Sequence, residues 1–76
     1  MSVVIYSTPT CGYCKRAKEY FKEKGVEYTE IDVSVDQEKA KEMVEKSGQM
    51  GVPVIEINGK MLVGFDPAAI DEALGS

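Results

Sequence analysis

No histidine occurs among the 76 residues, and that absence removes several kinds of chemistry at once. A Cys–His catalytic pair, a zinc site of mixed cysteine and histidine ligands, and a histidine general base are all excluded. Proton transfer falls to carboxylates, lysines or water. Cysteine is nearly as scarce, with only Cys11 and Cys14 present. Two thiols are half a tetrahedral site, so zinc or an iron–sulfur cluster would need a second subunit or an outside thiol. Long hydrophobic runs are missing too. The longest clean apolar run near the start is Val3 to Tyr6, against the ~20 residues that a spanning helix requires. Met1-Ser2 leads into that run without a basic region or cleavage site, so the expectation is a cytoplasmic protein with no signal peptide and no membrane contact. Nor is there an excess of positive charge. Nine Lys and Arg stand against 13 Asp and Glu, a net charge of −4, which argues against nucleic acid or an anionic membrane as partner. The only basic cluster, Lys15-Arg16, reads as helix surface.

What is present describes a small folded unit. An apolar content of 43% and a charged content of 29% are ordinary for a globular chain, and the length allows one domain, residues 1–76, near the lower limit for a self-sufficient core. Val3 to Tyr6 is a β-branched run that predicts a buried strand, with Ser7-Thr8-Pro9-Thr10 as the loop after it. From Gly12 to Lys24 the pattern is helical, with Tyr13, Ala17, Tyr20 and Phe21 on one face and Gly25 just past the end. Val26 to Val33 reads as a second strand with Tyr28 and Ile31 in the core. Ser34 with Gln37 resembles a capping box, Asp36 being the alternative cap, for a helix running to about Lys46. Ser47 to Gly51 ends it. Val54 to Ile57 and Lys60 to Val63 flank Asn58-Gly59, a hairpin signal because both turn positions favour positive φ. Asp66-Pro67 fits a cap followed by proline at the first helical position, and the last helix runs to the end of the chain.

The order β-α-β-α-β-β-α predicts an α/β fold. A right-handed parallel βαβ unit is joined by an antiparallel hairpin into a four-stranded mixed sheet with helices on both faces. Cys11 then lies beyond the C-terminal end of the first strand, where open α/β sheets place their active sites.

Cys11-Gly12-Tyr13-Cys14 carries the chemistry. A thiol at a helix N-terminus feels the positive end of the backbone dipoles, which favours the nucleophilic thiolate. Cys11 is the expected attacking sulfur. Cys14, about one turn inside, is the expected resolving one. A structural staple is the blander reading, but closing so short a loop contributes only roughly 2 kcal/mol. Tyr13 is either a core residue or an exposed aromatic that packs on substrate. Phe65 is either core or contact surface. Asp66 is a helix cap whose neighbouring free N–H groups can also hold a carboxylate.

Three stretches together resemble the glutaredoxins across essentially the whole chain: Tyr6-Ser7-Thr8-Pro9-Thr10-Cys11-Gly12-Tyr13-Cys14, Ser47-Gly48 leading into Val52-Pro53, and Gly64-Phe65-Asp66. The resemblance implies a thioredoxin fold with sheet order 2-1-3-4, a cis peptide at Val52-Pro53, and substrate contacts from Tyr13, Val52, Pro53, Gly64, Phe65 and Asp66. It implies a disulfide reductase with no tightly bound cofactor and no metal, acting as a monomer on disulfide-bearing proteins or small molecules. Gly12 replaces the usual proline, and Thr8 replaces a common lysine. Gly64-Phe65-Asp66-Pro67 also looks like the Gly-Phe-x-Pro stretch of the glutaredoxin-like redoxins that serve ribonucleotide reductase. The implied electron donor is therefore glutathione or thioredoxin reductase. The alternative function is a dimer binding an iron–sulfur cluster or a metal through Cys11.

Overall fold

The structure, a computed structural model, describes residues 2–49 and 51–75. The expectations that touch Met1, Met50 and Ser76 lie outside those residues. The elements are β1 (Val3–Ser7), α1 (Gly12–Glu23), β2 (Thr29–Asp32), α2 (Gln37–Ser47), β3 (Val54–Ile57), β4 (Lys60–Val63) and α3 (Pro67–Leu74). The sheet runs β2-β1-β3-β4. β1 is parallel to β2 and antiparallel to β3, and β3 is antiparallel to β4. This is the thioredoxin fold expected from the resemblance.

Strand alternation sorts the core into two layers. Val3, Ile5, Ile55, Ile57 and Leu62 meet Ala17 and Phe21 of α1 and Ile70 of α3 on one face. Tyr6 and Val54 meet Met43 of α2 on the other. Asn58 (φ 50°) and Gly59 (φ 88°) close the β3–β4 hairpin with two positive φ angles, as the Asn-Gly pair predicts.

Three local expectations need correction. β2 begins at Thr29, not Val26. The N–H of Val26 donates to the Phe21 carbonyl at 2.9 Å and that of Gly25 to Lys22 at 3.1 Å. This pair of bonds closes α1 in a Schellman motif, so Val26 serves the helix end instead of the ladder. The cap of α2 is Asp36, whose side chain accepts the Lys39 N–H at 3.0 Å. Ser34 turns back to Asp32, to which its N–H and hydroxyl both donate. Finally, Tyr13 does not share the inward face of α1. Cys14, Ala17 and Phe21 are the buried residues of that helix.

The register determines where the site lies. Tyr6 pairs with Val54, and Val54 with Val63. The chain therefore leaves β1 toward Cys11, enters β3 from Pro53 and leaves β4 into Gly64 at one and the same end of the sheet.

Candidate active site

Cys11 is the N-cap of α1, with extended backbone angles (φ −86°, ψ 112°). Its Sγ accepts the backbone N–H of Cys14 at 3.1 Å. Its own N–H donates to the Thr8 carbonyl, and its carbonyl accepts the Lys15 N–H, both at 3.3 Å. A sulfur thus occupies the place that a serine or aspartate oxygen takes in other helix caps. The first turn of α1 contains no acidic residue, so no carboxylate opposes negative charge there. The two sulfurs are joined as a disulfide, with Cα atoms 5.3 Å apart. Cys11 is half-buried and Cys14 is only 1% exposed. A thiolate at the outer sulfur would face the positive end of the helix dipole, whereas the inner sulfur is enclosed.

Tyr13 projects outward, 62% exposed. The Arg16 guanidinium sits over its ring at 5.7 Å from the centroid. Gly12, Tyr13 and Arg16 line an open cleft of about 250 Å³. Tyr13 is therefore not a core residue.

The Val52-Pro53 peptide is cis. Pro53 is buried, while Val52 is half-buried against the layer of Tyr6, Met43 and Val54. Among the described residues the backbone of Val52 forms no hydrogen bond. Gly64 has φ 80°, and its N–H donates to the Pro53 carbonyl at 2.8 Å. The loops before β3 and after β4, at the sheet end toward which β1 runs, are therefore tied together. Phe65 is half-buried in the core layer, edge-on to Tyr20 at 5.8 Å between ring centroids. Asp66 caps α3, its side chain accepting the Ala69 N–H at 3.3 Å.

One polar cluster near the site escapes sequence reading. The hydroxyl of Ser7, itself 1% exposed, donates to Oε2 of Glu30 at 2.9 Å, and Lys18 Nζ donates to the same oxygen at 2.7 Å. The Lys18 ammonium, and after it the Ser7 hydroxyl, hold the Glu30 carboxyl below the usual carboxylate range. The available signal was parity: Ser7 continues the inward alternation of Val3 and Ile5. Among the described residues no group of three or more Cys, Asp or Glu could hold a metal ion, and no helix is long and apolar enough to cross a membrane.

A thioredoxin fold with a Cys-x-x-Cys pair at the head of its first helix defines a thiol redox protein. The glutaredoxin family model matches residues 3–62. A glutaredoxin-like 8.6 kDa protein from the rubredoxin operon of Clostridium pasteurianum is 46% identical over 72 residues, covering 95% of this chain and 96% of that one. Glutaredoxin 3 of Escherichia coli is 36% identical over 74 residues, covering 97% and 89%. The solved structure of the glutaredoxin-like NrdH-redoxin of Escherichia coli, described as having a thioredoxin-like activity profile, superposes with a TM-score of 0.81 at 25% identity, covering 95% and 93%. The chain belongs to the glutaredoxin family.

Proposed function

We propose that this chain reduces disulfides through the Cys11–Cys14 dithiol, with Cys11 as nucleophile and Cys14 as resolving thiol. The observation that carries this reading is the asymmetry of the pair: Cys11 Sγ caps α1 and accepts an N–H, while Cys14 is enclosed directly beneath. The Cys11 thiolate attacks one sulfur of a substrate disulfide. A mixed disulfide forms, and the other half of the substrate leaves as a thiolate that takes a proton from water. The Cys14 thiol, losing its proton to water, then attacks Cys11 Sγ, expelling the second thiol and leaving the Cys11–Cys14 disulfide. Two electrons and two protons from a donor restore the dithiol. Both sulfurs come from one chain, so a monomer suffices.

The unpaired backbone of Val52, at the cis-Pro53 loop on the sheet end toward which β1 runs, supports a reading in which an extended substrate segment adds there as a strand. Gly64, whose N–H is bonded to the Pro53 carbonyl, and the Phe65 and Asp66 that follow it would extend that contact. Glutaredoxins use glutathione as co-substrate, which supports that donor. The Gly64-Phe65-x-Pro67 stretch and the likeness to NrdH-redoxin support thioredoxin reductase instead.

The test is a pair of variants. Cys11→Ser loses all disulfide reduction, and Cys14→Ser accumulates mixed disulfides visible by mass spectrometry. Full turnover without Cys11 would refute the assignment. Re-reduction rates of the oxidised protein by glutathione, and by thioredoxin reductase with NADPH, decide the donor.

A further inference from the structure

Tyr20 is held both at its tip and along its ring. Its hydroxyl donates to Oδ1 of Asp71 on α3 at 2.6 Å, and the Lys24 ammonium pairs with the same oxygen at 2.8 Å. Against the ring stands Phe65, edge-on at 5.8 Å between centroids and 71° between planes. Phe65 lies in the three-residue connection between β4 and α3. There Gly64 brings no side chain, and Asp66 spends its own on the Ala69 N–H. The Phe65 ring is thus the side chain that fastens this connection to the core, and Tyr20 is its aromatic partner. The preceding Gly64 N–H donates to the Pro53 carbonyl at 2.8 Å. Tyr20 itself belongs to α1, the helix that Cys11 caps. One run of contacts therefore joins the helix of the Cys11 sulfur, through Tyr20, Phe65 and Gly64, to the cis-Pro53 loop.

We propose that Tyr20 is a positioning residue for polypeptide substrates: it fixes the β4–α3 connection, and through Gly64 the Val52-Pro53 loop, relative to the helix that carries Cys11. An edge-to-face ring pair has a preferred geometry as well as an attraction. It sets the place of Phe65 more sharply than aliphatic packing does. The bond to Asp71 and the Lys24 ammonium then keep the Tyr20 ring from turning away. A polypeptide that adds as a strand at Val52 needs that loop at a set distance from the sulfur. A small disulfide needs only Cys11. This inference rests on Cys11 as the attacking sulfur and on strand addition at Val52. It adds which residue, remote from both, tunes the fit of a protein substrate.

Single turnovers of the pre-reduced protein test it, with insulin as the protein disulfide and hydroxyethyl disulfide as the small one. Rising insulin gives a half-saturation concentration and a limiting rate, and iodoacetamide gives the rate of Cys11 alkylation. In Tyr20→Leu the half-saturation concentration for insulin rises about fivefold, the scale of one lost aromatic pair. The limiting rate, the hydroxyethyl disulfide rate and the alkylation rate stay at wild-type values. Tyr20→Phe keeps the ring and recovers most of the insulin affinity. Because Tyr20 acts through Phe65, the double variant Tyr20→Leu with Phe65→Leu is no worse than Phe65→Leu alone. Tyr20→Met replaces Tyr20→Leu, with the same expectations, if the leucine variant does not fold. Unchanged insulin affinity in the ring-less variant overturns the proposal. So do effects of Tyr20→Leu and Phe65→Leu that multiply, or an equal fall for both substrates with slower alkylation, which would make Tyr20 a support of the Cys11 thiol or of the fold alone. A wild type that reduces only hydroxyethyl disulfide overturns the role of Tyr20 and leaves Cys11 as the nucleophile. One that reduces neither overturns the Cys11 assignment, and this inference with it.

Discussion

The backbone N–H of Cys14 donates to Sγ of Cys11 at 3.1 Å. The two cysteines are thereby linked twice, once sulfur to sulfur and once from the Cys14 peptide to the Cys11 sulfur. The residue that completes the exchange also supplies a donor to the sulfur that begins it. A hydrogen bond to the charged form of a group favours that form, so the interaction strengthens when Cys11 is a thiolate.

Gly12 is the first residue of α1, and a side chain there would meet nothing within 4 Å. Cys11 before it is extended, the conformation that a following proline demands. Proline is also favoured at the first helical position, where no intrahelical N–H bond is lost. Gly12→Pro should therefore raise stability by about 0.4–1 kcal/mol, chiefly by restricting the unfolded chain. Chemical denaturation of the reduced protein measures this, and a lower midpoint would contradict it.

Gly64 has the opposite character. Space is available for a side chain, but its φ of 80° lies in the left-handed region. Gly64→Ala should cost about 1–2 kcal/mol through the backbone alone, and Gly64→Asn less. Because the Gly64 N–H holds the Pro53 carbonyl, the alanine variant should also slow reduction of protein disulfides more than of small ones. Equal stability of Gly64→Ala and wild type would remove the argument.

Acid should weaken the fold through identifiable groups. Glu30 is held below the usual carboxylate range by Lys18 first and Ser7 second, Asp71 by Lys24 first and Tyr20 second, and Glu42 by Lys46 first and Lys39 second. A carboxyl depressed in the folded state contributes stability above its unfolded value. It loses that contribution as pH falls through the folded value. The decline should thus begin near pH ~4, the unfolded carboxylate range, and continue below it. Glu30→Gln combined with Asp71→Asn should flatten that acid limb in denaturation midpoints measured against pH. An unaltered limb would place the acid sensitivity elsewhere.

Much of the architecture was legible because local and tertiary signals agreed. Asn58-Gly59 demanded a hairpin, Asp66-Pro67 a helix start, and the β-branched Val3-Val4-Ile5 a buried strand. Where reading failed, two devices competed for the same residues. Val26 has strand character, yet its N–H is consumed in closing α1. Ser34 has the spacing of a capping box, yet Asp32, two residues earlier, takes both of its donors. In the site, Cys11 and Cys14 stood out by type and spacing alone. The contact of Arg16 with Tyr13 did not, although the two are three residues apart on a helix, because a basic residue on a charged surface carries no distinguishing mark. The Ser7–Glu30–Lys18 cluster joins three separate elements, and only the β1–β2 register brings it together.

The central claim is that the helix beginning at Cys11 makes its sulfur the readily ionised one. The direct measurement is the pH dependence of Cys11 alkylation by iodoacetamide in the Cys14→Ser variant, which isolates one thiol. The account predicts a midpoint clearly below the ordinary cysteine value of about 8.5. A midpoint at or above that value would contradict it.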